Sequence, residues 1–132
     1  MDESGLRPVS ILFWMVVLLA VGIIFIGIRF LAAPITAAAA FGVPAGATPQ
    51  TAYLWAKGTR DIVSGLLLLA LLGMRVRSRV IAVFILVATL IAVADFVNVY
   101  LNMGYVPALA THAGTAAFMV ILAALLWRNS AS

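Results

Sequence analysis

The chain has 132 residues, of which 66% are hydrophobic and 9% charged, and its formal net charge is +4. Soluble domains are about 45–50% apolar and about 25% charged, so this composition excludes a soluble globular protein and indicates an integral membrane protein. The lack of cysteine in the sequence excludes disulfide bonds, thiolate metal sites and cysteine nucleophiles. The length is that of one domain, and we predict a single membrane domain over residues 1–132.

The first apolar run predicts a membrane-spanning helix over about residues 9–31, with Arg29 near its end. About 20 apolar residues cross the hydrocarbon core of a bilayer, and this run is too long for the apolar core of a secretory signal. The next stretch, residues 32–50, contains three prolines and two glycines but no charged residue. We therefore expect a short interfacial or re-entrant helix at Thr36–Phe41, which lies over the helix ends as a partial lid.

Three further apolar runs each predict a spanning helix, over about residues 51–72, 80–103 and 107–127. The predicted fold is all-α. It is an integral membrane bundle of four transmembrane helices, with the short interfacial or re-entrant segment after helix one.

The turn between the second and third predicted spans is basic, with Arg75, Arg77 and Arg79 close together. Lysine and arginine are enriched in the cytoplasmic loops of membrane proteins. An even number of spans puts both termini on the same side as this turn. We therefore expect both termini in the cytoplasm and the protein in the cytoplasmic (inner) membrane.

The second predicted helix begins with a charged segment that a membrane span normally avoids. Lys57 and Asp61 lie four residues apart and so share one helix face, and Arg60 is next to that face. Gly58 and Gly65 allow another helix to approach closely. Lys57 and Asp61 are expected to pair along the helix, because an unpaired charge in hydrocarbon is costly.

The other predicted helices place polar residues at the same depth. Asp95, Asn98 and Asn102 share a face near the end of the third helix, His112 lies near the start of the fourth, and Arg29 closes the first. At a rise of 1.5 Å per residue these groups fall within a layer of roughly 10–15 Å. We expect Asp95 to pair with Arg60 or Arg29, in a polar pocket that opens away from the cytoplasm above an apolar floor.

Three functions are compatible with such a pocket, besides ion pairs that only hold the bundle together. The leading one is binding of a small amphipathic or anionic, lipidic ligand by polar side chains at Arg29, Lys57, Arg60, Asn98 and Asn102. An alternative is an intramembrane enzyme of isomerase or cyclase type, with acid–base groups at Asp61, Asp95 and His112. The third is a structural subunit of a membrane complex, in which small residues on the helices would serve oligomerisation.

Other partners are excluded or left open by the same residues. One histidine and two aspartates at these positions have no metal-ligand spacing, so we predict no metal site and no cofactor. The basic residues lie at membrane edges rather than on one face, so we predict no nucleic-acid binding. The expected partners are the lipid bilayer and a small amphipathic ligand, with a homo-oligomer left open.

Five segments resemble a known family, and together they extend over almost the whole chain: Arg29–Pro34, Phe41–Pro44, Lys57–Asp61, Asp95 and His112. The family consists of small bacterial four-helix membrane proteins; it is catalogued as a domain of unknown function and looks distantly similar to the DoxX-like group. The lysine-glycine-any-arginine-aspartate motif is its most specific element. The resemblance implies a four-helix bundle and no activity, and it carries over as motif positions Arg29, Lys57, Arg60, Asp61, Asp95 and His112.

Overall fold

The computed structural model describes residues 5–44 and 49–130, and these residues form five helices. The helices are α1 (Ile11–Ala32), α2 (Pro34–Phe41), α3 (Pro49–Gly73), α4 (Ser78–Met103) and α5 (Ala108–Asn129). The chain is all-α over the described residues.

The prediction of a four-transmembrane-helix bundle is wrong, because three of the five described helices are long and apolar enough to span a membrane: α1, α4 and α5. The exception among the long helices is α3. Every 18-residue stretch of this 25-residue helix contains Lys57, Arg60 and Asp61. One charged side chain at the centre of a bilayer costs about 2.5–3.5 kcal/mol, which explains why α3 is not a candidate span. The three apolar helices indicate an integral membrane protein.

A short helix does follow α1, and its ends have clear local causes. It begins at Pro34 rather than at Thr36, because proline is well suited to the first position of a helix, where its missing N–H is not needed. It ends at Gly42, whose φ of 110° is in the left-handed region that favours glycine. A Cβ at Gly42 would also lie 2.7 Å from the Cβ of Ala108, so this glycine lets the end of α2 approach the start of α5.

The long helices pack as two pairs, α1 with α3 and α4 with α5. The first pair is antiparallel and comes into backbone contact: a Cβ at Gly58 would lie 2.7 Å from the carbonyl oxygen of Gly27. A Cβ at Gly65 would lie 2.7 Å from the carbonyl oxygen of Ala20. The predicted close approach of a helix at Gly58 and Gly65 is thus confirmed, and its partner is α1.

The two helix pairs share an apolar core near one end of the molecule, where the first and last described residues lie. Its fully buried large side chains come from all four long helices: Val16, Leu68, Ile81, Ile85, Leu122 and Leu126. At this end Gly5 lies against the backbone of Arg75, and the Arg79 Nε donates a hydrogen bond of 3.2 Å to the Ser130 hydroxyl. Both ends of the described chain therefore lie at the basic end of the molecule.

The outer faces of the long helices expose many large apolar side chains, among them Trp14, Leu90 and Ile121. Contiguous exposed apolar surface of this kind is unusual on a soluble monomer and marks contact with a partner or with lipid. Together with the three candidate spans, it is consistent with helices that face a bilayer.

Candidate functional site

Four charged side chains meet at the end of the molecule opposite the basic turn, and we call them the ionic cluster: Lys57, Arg60, Asp61 and Asp95. The Lys57 ammonium is 3.1 Å from one Asp61 carboxylate oxygen and 3.4 Å from an oxygen of Asp95. The Arg60 Nη2 is 3.1 Å from the other Asp61 oxygen and 3.9 Å from an oxygen of Asp95. The cluster joins α3 to α4, and its two positive and two negative charges balance.

The helical repeat and the packing explain this geometry. Lys57 and Asp61 are one turn apart on α3, so their side chains lie side by side. This pairing was predicted and is confirmed. Asp95 was expected to pair with Arg60 or Arg29, and of these two it contacts Arg60, whereas its contact with Lys57 was not predicted. Asp61 is buried, with 6% of its surface exposed, so the two cations beside it offset the cost of removing its charge from water.

Two aromatic rings also contact the Lys57 ammonium. The ammonium lies 4.7 Å from the centre of the Phe41 ring and 5.0 Å from that of Phe30, both within cation–π range. Phe41 also contacts the His112 ring, at 4.6 Å between centres, and its carbonyl oxygen lies 2.8 Å from the His112 Nε2. Because a carbonyl oxygen can only accept a hydrogen bond, the His112 Nε2 carries the proton and is the donor of this hydrogen bond. Through Phe41, α2 is attached to both α3 and α5.

Two cavities meet at the ionic cluster. The inner cavity, of about 130 Å³, lies between the helix pairs, and its apolar floor includes the buried side chains of Leu68, Ile85 and Met119. The outer cavity, of about 350 Å³, lies under the end of α2 and is bordered by the exposed side chain of Tyr53. The residues common to both linings are Phe41, Lys57 and Asp95. These three side chains therefore form the wall between the two spaces.

The structure brings most of the predicted ligand-binding residues to these cavities. Lys57 lines both of them, and Arg60 and Asn98 line the outer cavity. Arg29 and Asn102 are not part of either lining; Arg29 is exposed near the end of α1. The Asn102 side-chain amide donates to the Asn98 side-chain oxygen at 2.8 Å, so Asn102 contacts the site only through Asn98.

The three residues predicted as acid–base groups all line the inner cavity: Asp61, Asp95 and His112. The two aspartates contact Lys57 and Arg60, whereas the Nε2 of His112 contacts the Phe41 carbonyl. The described residues also contain no group of three histidine or carboxylate side chains that could hold a metal ion.

Sequence reasoning missed the aromatic part of the site, namely Phe30, Phe41 and the outer-cavity residue Tyr53. Phe41 ends α2 directly before Gly42, but this position in the sequence does not indicate that its ring reaches Lys57. No spacing along the chain connects Phe30 or Phe41 with Lys57, because the two rings are brought to it from α1 and α2 by tertiary packing.

No curated protein and no solved structure matches the chain. A family model described as a domain of unknown function, DUF4267, matches residues 20–126. The matched range includes the second half of α1, all of α2, α3 and α4, and most of α5. It therefore contains the whole ionic cluster, the whole lining of the outer cavity and all of the inner-cavity lining except Leu19. This agrees with the resemblance seen in the sequence, and the chain belongs to the DUF4267 family.

Proposed function

We propose that the protein binds a small amphipathic molecule between its two helix pairs. The polar or anionic group of this molecule occupies the outer cavity, and its apolar group occupies the inner cavity. The observation that supports the proposal is that two cavities share one wall, formed by Phe41, Lys57 and Asp95. The outer cavity presents the exposed Arg60 and Asn98, whereas the inner cavity ends on buried apolar side chains. Ligand sites in proteins combine largely apolar surroundings with a few converging polar groups in the same way.

The charges around the outer cavity favour a negatively charged group in the ligand. The Arg60 side chain is 42% exposed, and it lines this cavity while its Nε and Nη2 contact Asp61. Asp95 is held less closely, at 3.4 Å from Lys57 and 3.9 Å from Arg60. An anionic group that enters the outer cavity therefore competes with Asp95 for both cations, while the buried Asp61 keeps them in place.

The alternative of an isomerase- or cyclase-type enzyme gains no specific support, because His112 donates to a backbone carbonyl rather than to either aspartate. The structural-subunit alternative would use small residues on the outside of α5, where Ala110, Ala113 and Gly114 are exposed. Small residues on a helix surface also occur where a helix faces lipid, so this feature does not favour a complex over binding.

We also propose that the basic turn at Arg75–Arg79 faces the cytoplasm and that the membrane is the cytoplasmic one. The protein has no native cysteine, so a single cysteine can be introduced at exposed Arg77 or at exposed Leu101 near the other end. In intact bacterial cells, a membrane-impermeant maleimide should label Leu101→Cys and leave Arg77→Cys unlabelled until the cells are opened. Labelling of Arg77→Cys in intact cells would reverse the orientation.

Mass spectrometry of the molecules that co-purify with the protein tests the proposed binding. Wild type is compared with Arg60→Gln, which removes a charge from the outer cavity, and with Arg29→Gln as the matched control outside both linings. We expect one defined amphipathic molecule with wild type and with Arg29→Gln. Its amount should fall about tenfold with Arg60→Gln, the effect of losing one charged hydrogen bond. The same mixture of bulk membrane lipids in all three samples would refute the proposal.

A further inference from the structure

The inner cavity limits what the apolar part of a ligand can be, and this inference rests on the proposed binding function. The cavity has a volume of about 130 Å³. An apolar cavity of about 150 Å³ inside a protein accommodates one benzene molecule. The inner cavity is therefore large enough for about six carbon atoms, whereas the acyl chains of membrane lipids are several times longer.

The floor of this cavity is closed by side chains that are firmly packed. Leu68, Ile85 and Met119 are 1%, 0% and 3% exposed, and each comes from a different helix. Below them lies the shared apolar core of the two helix pairs, which includes Leu122 and Leu126. A straight chain that enters past Lys57 is stopped at this floor, because a packed core does not make room for additional methylene groups without strain.

We propose that the ligand is a short-chain amphiphile, an anion with a straight or cyclic apolar group of about six carbons, and that Met119 sets this length. Met119 is suited to this role because it is the unbranched side chain among the three floor residues that we name. Its truncation therefore deepens the cavity and leaves the branched side chains of Leu68 and Ile85 in place. Ala88 lines the same cavity from α4 and offers the opposite change, since a larger side chain there fills the space.

The test measures binding of radiolabelled straight-chain carboxylates, from butanoate to dodecanoate, by equilibrium dialysis against protein in lipid nanodiscs. Empty nanodiscs supply the background for partition into the bilayer. With wild type, affinity should rise about fourfold per methylene up to about hexanoate and then stay level or fall. With Met119→Ala the rise should continue, so that octanoate binds about tenfold more tightly than to wild type.

Two further variants make the result specific. Met74→Ala is the matched control, because Met74 is exposed in the turn after α3 and should leave the wild-type profile unchanged. Ala88→Leu should move the optimum to shorter chains, and it tests the same idea if Met119→Ala does not fold. Ile26, Thr111 and Thr115 of the lining are exposed, so a longer chain that leaves the cavity at this edge would escape the limit set by Met119. Affinity would then keep rising with chain length in wild type.

The outcomes separate this inference from the function on which it rests. Affinity that keeps rising to dodecanoate in wild type, lost in Arg60→Gln, would overturn the length limit and retain the binding function. The absence of binding above empty nanodiscs at every chain length would overturn both.

Discussion

The two aspartates of the ionic cluster are unequal, although each contacts both Lys57 and Arg60. Asp61 has a side-chain exposure of 9% and two contacts of 3.1 Å, whereas Asp95 has an exposure of 19% and contacts of 3.4 and 3.9 Å. Short contacts between ionised groups are stronger than long ones, and burial reduces screening by water. Asp61 is therefore the anchor of the cluster, and Asp95 is the carboxylate that can be exchanged.

This difference predicts the stabilities of two matched variants. Asp61→Asn removes the buried carboxylate that is closest to both Lys57 and Arg60, and we expect a loss of about 3 kcal/mol. Asp95→Asn breaks only the longer contacts, and we expect a loss of about 1 kcal/mol. Unfolding in mixed micelles with increasing SDS measures both free energies. Equal losses, or a larger loss for Asp95→Asn, would contradict the assignment of Asp61 as the anchor.

At the scale of the elements, the pairing of α1 with α3 depends on the absence of side chains at their crossing point. A Cβ at Gly58 would lie 2.7 Å from the Gly27 carbonyl oxygen and 2.9 Å from the Phe30 Cβ. Neither neighbour is the flexible end of a side chain, so the helices would have to separate. Separation would also move the Phe30 ring away from the Lys57 ammonium.

Gly58→Ala should therefore destabilise the protein by about 1–3 kcal/mol, the usual cost of overpacking. The matched control is Gly114→Ala on α5, because a Cβ at Gly114 meets no atom within 4 Å. Both substitutions gain the same helix propensity, about 1 kcal/mol, so their difference isolates the effect of the close approach. The same SDS titration measures it. A Gly58→Ala protein as stable as Gly114→Ala would show that the helices can move apart freely.

The elements that were predictable from the sequence are those specified by local patterns. Long apolar runs located α1, α4 and α5, and the four-residue spacing located the Lys57–Asp61 pair, because both patterns act within one helix. The number of spans was predicted wrongly because α3 combines an apolar second half with a charged first half, and the apolar half was given too much weight. The rings around Lys57 were not predictable, since Phe41 reaches it through the path of α2.

For the molecule as a whole, the two helix pairs touch each other mainly at their ends. α3 and α4 follow each other in the chain, yet they make few contacts along their lengths, whereas each packs closely against its own partner helix. The shared core holds the pairs together at the basic end, and the inner cavity separates them in the middle. At the other end, the contacts of Asp95 with Lys57 and Arg60 connect them, and α2 adds a second link because Phe41 contacts both Lys57 and His112.

This arrangement predicts that Asp95→Asn lets the pairs separate at the site while each pair stays intact. Because the chain has no native cysteine, spin labels can be attached to cysteines introduced at Tyr53 and Leu101, which are 78% and 75% exposed on α3 and α4. Pulsed electron resonance should give a longer and broader distance distribution between these labels in Asp95→Asn than in wild type. A control pair at Leu101 and Ile121 lies within α4 and α5 and should not change. If the Tyr53–Leu101 distribution stays the same, Asp95 does not hold the two pairs together at the site. If both distributions broaden, the variant has lost its fold rather than opened at the site.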